Sequence, residues 1–334
     1  MIKIGIIGSG ITAISHIETI KSIEGFLLVG IYSDKFEQLK EIQDEHHVTI
    51  FGSAEELIEH VDAIDITSID KANYDFVVDA LKKSKHVYIE NPITNNIEEA
   101  DYIIKIAEEA DVTVQVAQSN RYNPAFLSVR GKIKNPQYIQ IIRKDKFSLL
   151  NQDVHIVLGS MIHDIDIILS IFKTKVKRIK TKAVKAMTSG QDVVNVRIEF
   201  DNEAVADLVT NGVSPVNELK ADIFQAGKHI FIDFLKHESA IVRLKKECEK
   251  INLFNFDNDE LIIQKPDIRT TNPVREELLN FYHSIVTHST SLLTLEERFE
   301  ALKIAYDILY RLTHTHDIRE ELVGITSFKV GYFN

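Results

Sequence analysis

Three small residues near the N-terminus carry the clearest chemistry. Gly8, Gly10 and Ala13 in "GIIGSGITA" follow the pattern GxGxxA. The pattern gains meaning from its surroundings: an apolar run, "KIGIIG", leads into it and an isoleucine-punctuated segment leads out. A strand ends near Gly8 and a helix starts just beyond Gly10. Gly8 permits the tight turn, and Gly10 has no Cβ, so the backbone can close on an anion. Ala13 lets the helix lie close to the strand. The helix N-terminus adds partial positive charge and unpaired N–H groups. This combination suits the pyrophosphate of a dinucleotide, with Ser9, Ile11 and Thr12 completing the turn. The position that reads the ribose falls about 20 residues further on, at the end of the second strand. There the sequence is "IYSDKF", with Ser33 at the strand end, then Asp34 and Lys35. An acid favours a free 2′-hydroxyl and repels a 2′-phosphate. Ser33 leaves room for a phosphate and Lys35 can pair with one. The expected cofactor is NAD or NADP, with Asp34 tipping the reading toward NAD.

The elements that must hold this turn follow from the hydrophobic pattern. A helix is predicted from about Ile11 to Ile23, then "FLLVGIY", the helix "KFEQLKEIQDEH", a short "TIFG" and the helix "SAEELIEH". "AIDITS", "NYDFVVDALKKS", "HVYIE", "IEEADYIIKIAEEA" and "VTVQVA" continue the alternation. Strands alternating with helices pair in parallel through crossovers, giving an α/β doubly wound Rossmann sheet. After Asn120 the pattern changes. "QYIQIIRKDKF" reads as a strand, and a helix is predicted from about Val154 to Phe172 with Asp153 as N-cap. Long strands follow, joined by turns such as Thr188–Gly190 and Asp201–Asn202. They predict a C-terminal α+β domain with an open, mostly antiparallel sheet. Two helices close the chain. One has Asn272 as N-cap and Pro273 at the first helical position. The other has a capping box of Thr294 and Glu297. The expected domains are 1–120 and 121–334, with the last helices able to pack back on the first. A length of 334 residues agrees with two domains of roughly 150 residues each.

Four motifs in order now resemble one family. "GIIGSGITA", "HVYIENP" at 86–92, "QSNRYNP" at 118–124 and "IHDID" at 162–166 are similar to those of the Gfo/Idh/MocA oxidoreductases, the glucose–fructose oxidoreductase and inositol dehydrogenase group. The likeness is greatest to MviM-type oxidoreductases, and the closing "LTLEERFEALKIAYDILYRL" extends it over nearly the whole chain. The resemblance implies a Rossmann domain and an open-sheet domain, with nicotinamide and a sugar-like substrate meeting between them. It also implies a homodimer or homotetramer built through the open sheet. The reaction implied is hydride transfer to or from a sugar, nucleotide sugar or related polyol or carbonyl compound. Cofactor contacts are implied at Thr67, Ser68, Tyr74, Glu90, Asn91, Pro92, Asn120 and Arg121.

The departures from the family pattern are equally specific. The family's Glu-Lys-Pro places a lysine where it can favour a developing alkoxide. Here the residues are Glu90, Asn91 and Pro92, and Asn91 can orient an oxygen but cannot titrate. The family's Asp-x-x-x-His is reduced to His163, with Gly159 in the place of the aspartate. Asp166 shares the helix face of His163 and can hold the imidazole. The expected catalytic set is His163, Asn91 and Asp166. His163 reads as an acid/base with an ordinary pKa near 6.5, or as a core histidine bonded to Asp166. Ile69 and Tyr74 stand where proline and histidine are common. Arg121 either orients the substrate or ties the domains together. Loss of the lysine and aspartate leaves two alternatives to a dehydrogenase open: a dinucleotide-binding regulatory protein, or a non-redox net reaction that uses NAD transiently.

Composition narrows the field further. A net charge of -11 disfavours nucleic acid and anionic membrane surfaces as partners. Cys248 is the lone cysteine, which excludes an intrachain disulfide and fits a cytoplasmic setting. It lies in a charged stretch and reads as an incidental thiol. No run approaches the ~18 apolar residues of a membrane span. The apolar N-terminus lacks a basic leading region and reads as a strand, not a signal peptide. No metal is expected. His46 and His47 are adjacent in sequence and cannot share a helix face at one-turn spacing. His314, His316 and Asp317 form the best cluster, read as a solvated tail after the last helix. His155 and His163, eight residues apart on one predicted helix, share a face toward the substrate side.

Overall fold

A computed structural model describes residues 1–67, 73–90, 94, 97–147, 155–245, 261–288 and 295–326. The chain divides into two compact units, Met1–Ser128 with Asp267–Leu302, and Val129–Pro266 with Lys303–Asn334.

The first unit is built on β1 (Ile2–Ile7), β2 (Phe26–Tyr32), β3 (Ala63–Ile66), β4 (His86–Ile89) and β5 (Val114–Val116). The strands pair in parallel in the order β2-β1-β3-β4-β5. The helices α1 (Ile11–Lys21), α2 (Phe36–His46), α3 (Ala54–Glu59), α4 (Asn73–Lys82) and α5 (Ile97–Ala110) connect them. "TIFG" forms no strand; it contributes a single parallel bridge between Ile50 and Ile31, on the outer side of β2. Every residue of β3 is buried, as expected for a strand covered on both faces. β2 and β3 lie on opposite sides of β1. The strand order therefore reverses at β1, and the carboxyl ends of β1 and β3 open where α/β sheets take their ligands.

The core of this unit draws on a distant part of the sequence. Ala13, Ile17 and Ile20 on α1 meet Ile4 and Ile6 on β1, in one cluster with Leu278, Phe281 and Ile285. The last three belong to a helix at Pro273–Thr287. Each Leu or Phe buried this way contributes about 1.5–3 kcal/mol. Asn272 caps that helix as the sequence predicts: its Oδ1 accepts from the N–H groups of Val274 and Arg275 at 3.0 and 3.3 Å.

A short helix, α6 (Pro124–Arg130), spans the boundary between the units. The second unit holds an eight-stranded sheet. Its strands are β6 (Tyr138–Lys146), β7 (Val176–Val184), β8 (Val193–Phe200), β9 (Val205–Ser214), β10 (Glu218–Gln225), β11 (Lys228–Asp233), β12 (Glu238–Leu244) and β13 (Leu261–Gln264). Their order is β13-β12-β11-β10-β6-β9-β8-β7. β6 and β9 pair in parallel and every other neighbour is antiparallel, so the sheet is mixed but mostly antiparallel. Alternation separates its faces. Ile139, Ile141, Leu208, Ala221 and Ile223 are buried. The intervening positions carry charged pairs such as Arg197 with Asp207 and Lys144 with Glu218.

Two helical expectations change. The helix predicted from Val154 opens as a π turn at Val157–Met161 and becomes α-helical, α7, only at Ile162–Ile171. Asp153 and Val154 lie outside the described residues. His155 precedes the helix, and the wider π turn breaks the 3.6-residue phase, so His155 and His163 do not share a helix face. The helix Pro273–Thr287 is α8, and the closing helix α9 runs over Leu295–Thr326. His314, His316 and Asp317 therefore sit within α9 and not in a tail beyond it. Thr and His are only modest helix formers, but "IREELVGI" after them continues the helix. Thr294 and the side chain of Glu297 lie outside the described residues. Among the described residues no helix is long and apolar enough to cross a membrane, and no cluster could hold a metal ion.

Candidate dinucleotide site and catalytic histidine

The glycine turn forms as its residue types require. Gly8 has φ 142°, a conformation only glycine adopts readily, and its N–H donates to the Tyr32 carbonyl at 2.8 Å. Gly10 is the N-cap of α1, and no side chain caps the helix there. The free amides of the first turn thus remain available to a ligand. A Cβ built on Gly10 meets nothing within 4 Å, so its missing side chain matters for what approaches from outside. Thr12 is exposed, and Ile11 is 88% exposed, an apolar surface at the mouth of the turn.

The end of β2 is wired to this turn. Ser33 donates to Ser9 Oγ at 3.0 Å, and Ser9 donates to Gln38 Oε1 at 2.8 Å. The Lys35 N–H donates to Ser33 Oγ at 3.2 Å. Tyr32 donates to Asp34 Oδ1 at 2.5 Å, a bond that, with burial, raises the tyrosine pKa. Asp34 is therefore held at the strand end with its second oxygen available.

On the other side of β1, the Thr67 N–H donates to the Ile7 carbonyl at 3.0 Å. Tyr74 is half-buried in the first turn of α4. Glu90 follows β4, and its N–H donates to the Ile66 carbonyl at 3.0 Å. Asn120 and Arg121 lie in a 3-10 turn at Ser119–Tyr122, with Arg121 buried. Ser68, Ile69, Asn91, Pro92 and Cys248 lie outside the described residues.

Sequence reasoning missed a buried cluster behind the turn. His16 on α1 is 1% exposed; its Nδ1 is 2.8 Å from Asp65 Oδ2 and its Nε2 is 3.4 Å from Glu90 Oε1. Its ring meets Tyr88 edge-on, with centroids 5.7 Å apart. Glu277 on α8 is also buried and accepts from the Gln118 N–H. The available signal was a histidine on the otherwise apolar stripe Ala13–Ile17–Ile20 and an aspartate inside "AIDI".

In the second unit, His163 lies in the first turn of α7 and is partly exposed. Burial, followed by the positive charge of Arg143, pushes its pKa down to about 3. The sequence predicts an ordinary imidazole; in the fold the ring is held neutral. Arg143 comes from β6 and grips the buried Asp164, with Nε to Oδ2 at 2.8 Å and Nη2 to Oδ1 at 2.6 Å. Neither residue was singled out in the sequence. Asp166, on the same helix, is fully buried but is not among the groups that shift His163.

The glycine turn at the strand-order reversal defines a dinucleotide-binding Rossmann unit. Residues 2–118 match the family profile described as "Oxidoreductase family, NAD-binding Rossmann fold". Over this segment the chain is similar to the Gfo/Idh/MocA oxidoreductases. It is similar to UDP-N-acetylglucosamine 3-dehydrogenase of Acidithiobacillus ferrooxidans, at 25% identity over 70% of this chain and 75% of the relative. It is also similar to myo-inositol 2-dehydrogenase of Thermotoga maritima, at 22% identity over 96% of this chain and all of the relative. A crystal structure of the Acidithiobacillus enzyme superposes with a TM-score of 0.86 at 22% identity, covering 93% of this chain and 97% of that one. The MviM dehydrogenase of Clostridium difficile gives 0.79 at 17% identity, over 93% and 99%. At these identities the structural likenesses establish the fold.

Proposed function

We propose that this chain is an NAD(P)-dependent oxidoreductase acting on a CH–OH carbon of a sugar, nucleotide sugar or related polyol. The uncapped glycine turn at the strand-order reversal carries the reading. NAD(P) seated there supplies the hydride acceptor. In the oxidising direction His163 takes the hydroxyl proton while the C–H carbon gives up its hydride, leaving a carbonyl. Asn91 orients the substrate oxygen by hydrogen bonding, in place of the family lysine. Asp166 supports the His163 helix from within. Gly8, Ser9, Gly10, Ile11 and Thr12 hold the pyrophosphate, and Ser33, Asp34 and Lys35 face the adenosine ribose. Thr67, Ser68, Tyr74, Glu90, Pro92, Asn120 and Arg121 line the nicotinamide side. The named activities of the two relatives support the substrate class. The charged, half-exposed face of the eight-stranded sheet supports assembly of two or four copies through it.

The test begins with the cofactor. Titration of the purified protein with NADH and NADPH, followed by nicotinamide fluorescence, is expected to show binding. Gly10→Val should weaken that binding about 10- to 100-fold, because a β-branched side chain overpacks the pyrophosphate approach. Its melting temperature should stay at the wild-type value, since a Cβ at Gly10 meets nothing within 4 Å. Equal affinity in the variant would remove the turn from the site. A panel of sugars, polyols and nucleotide sugars then reports turnover by nicotinamide absorbance.

Asp34 supports NAD over NADP. Asp34→Ser removes the negative charge beside the ribose, and NADPH affinity is expected to improve about fivefold. An unchanged ratio of NADH to NADPH affinity would place discrimination elsewhere. A second reading, binding without dehydrogenation, is favoured by Asn91 and Gly159 standing where the family has lysine and aspartate. Tight dinucleotide binding with no turnover across the panel, in wild type and in Asn91→Lys, would establish it.

A further inference from the structure

The reaction proposed above makes no use of His16, yet no other described imidazole is so enclosed by acids. Asp65 from β3 faces Nδ1 at 2.8 Å and Glu90, just beyond β4, faces Nε2 at 3.4 Å. Glu277 from α8 adds a third carboxylate field, and Tyr88 from β4 packs its ring against the imidazole. A neutral imidazole has one N–H and one lone pair. With a carboxylate before each nitrogen, the neutral ring must turn its lone pair on one of them. Only the imidazolium donates to both.

The position of the ring gives that charge a purpose. His16 lies in the second turn of α1, the helix whose N-terminus forms the glycine turn. Asp65 lies two residues before Thr67, and Glu90 immediately precedes Asn91 in the chain. We propose that His16 is a positioning residue which, while protonated, fixes the glycine-turn helix to β3 and to the end of β4, and so sets the affinity for dinucleotide. The proposal rests on the reading that the first unit binds NAD(P). Burial alone would lower the His16 pKa; Asp65 first, then Glu90 and Glu277, outweigh burial and raise it to about 9.

Two measurements on the full chain test this. Nitrogen-15 NMR of histidine-labelled protein at about pH 7.5 should show one imidazole protonated on both nitrogens, unlike ordinary histidines. The NADH dissociation constant should be flat up to the midpoint of that imidazole, then rise by about tenfold per pH unit. Glu90→Gln removes one carboxylate, and both the NMR midpoint and the break in affinity should move down together. Glu90 is partly exposed, so this substitution spares the buried core. A neutral His16 at that pH overturns the proposal, as does an affinity break that stays fixed while the NMR midpoint moves. If Glu90→Gln fails to fold, the wild-type profile decides: constant affinity across the midpoint overturns the proposal alone. Absence of dinucleotide binding at every pH overturns the functional reading and the proposal with it.

Discussion

His163→Ala is expected to lower kcat about 10-fold, less than a general base with a pKa near the working pH contributes, because an imidazole held neutral so firmly is a weak proton acceptor. Dinucleotide affinity should be unchanged, because His163 belongs to the unit that lacks the glycine turn. The shape of the pH profile is the sharper test. Burial, aided by Arg143, holds the imidazole neutral down to about pH 3. Oxidation of a hydroxyl needs a base in that state, so the wild-type rate should show no fall between about pH 8 and 5, where an ordinary histidine would protonate. Steady-state kinetics of both proteins over this range checks the claim. Undiminished turnover in the variant would remove His163 from the chemistry, and an acid limb near 6.5 would contradict the environment described for it.

His16→Leu is expected to destabilise the protein by about 3–5 kcal/mol at neutral pH, because it leaves Asp65 buried without its partner. The wild type should show a matching dependence on pH. The folded-state pKa of His16 lies near 9, above the unfolded value of 6.5. The folded chain then holds a proton that the unfolded chain releases, so this contribution is complete below about pH 6.5. It declines as pH rises and is gone once pH passes about 9, a total on the order of 3 kcal/mol. Urea midpoints from about pH 6 to 10 would show the decline in wild type and its absence in His16→Leu. A wild-type midpoint constant across that window would mean that His16 folds without its extra proton.

The glycine turn was legible because its chemistry is local: Gly8, Gly10 and Ala13 sit within six residues and need only the strand before and the helix after. The parallel sheet followed from the same logic of buried apolar runs. His16, Asp65 and Glu90 were not legible as a group. Each breaks an apolar pattern or ends one, but 49 residues separate the first two. Which carboxylate meets which nitrogen depends on the register of β1, β3 and β4. Arg143 and Asp164 pose the same problem between β6 and α7. The parallel pairing of β6 with β9 needs a crossover that the run of hairpin-like turns hides. The π turn before α7 leaves no mark in the spacing of apolar residues, which is why a continuous α-helix was expected there.

The place of α8 has a consequence for how the protein is made. Leu278, Phe281 and Ile285 complete a core whose other members lie within the first 117 residues. Residues Val129–Pro266 separate the two parts of this unit in the chain. At about 5–20 residues per second, a nascent chain waits some tens of seconds between emergence of the glycine turn and arrival of the helix that closes the core behind it. During that interval Ile4, Ile17 and Phe26 lack their α8 partners. The core of the cofactor half is thus completed only after the whole of Val129–Pro266 has been made, long after its binding turn.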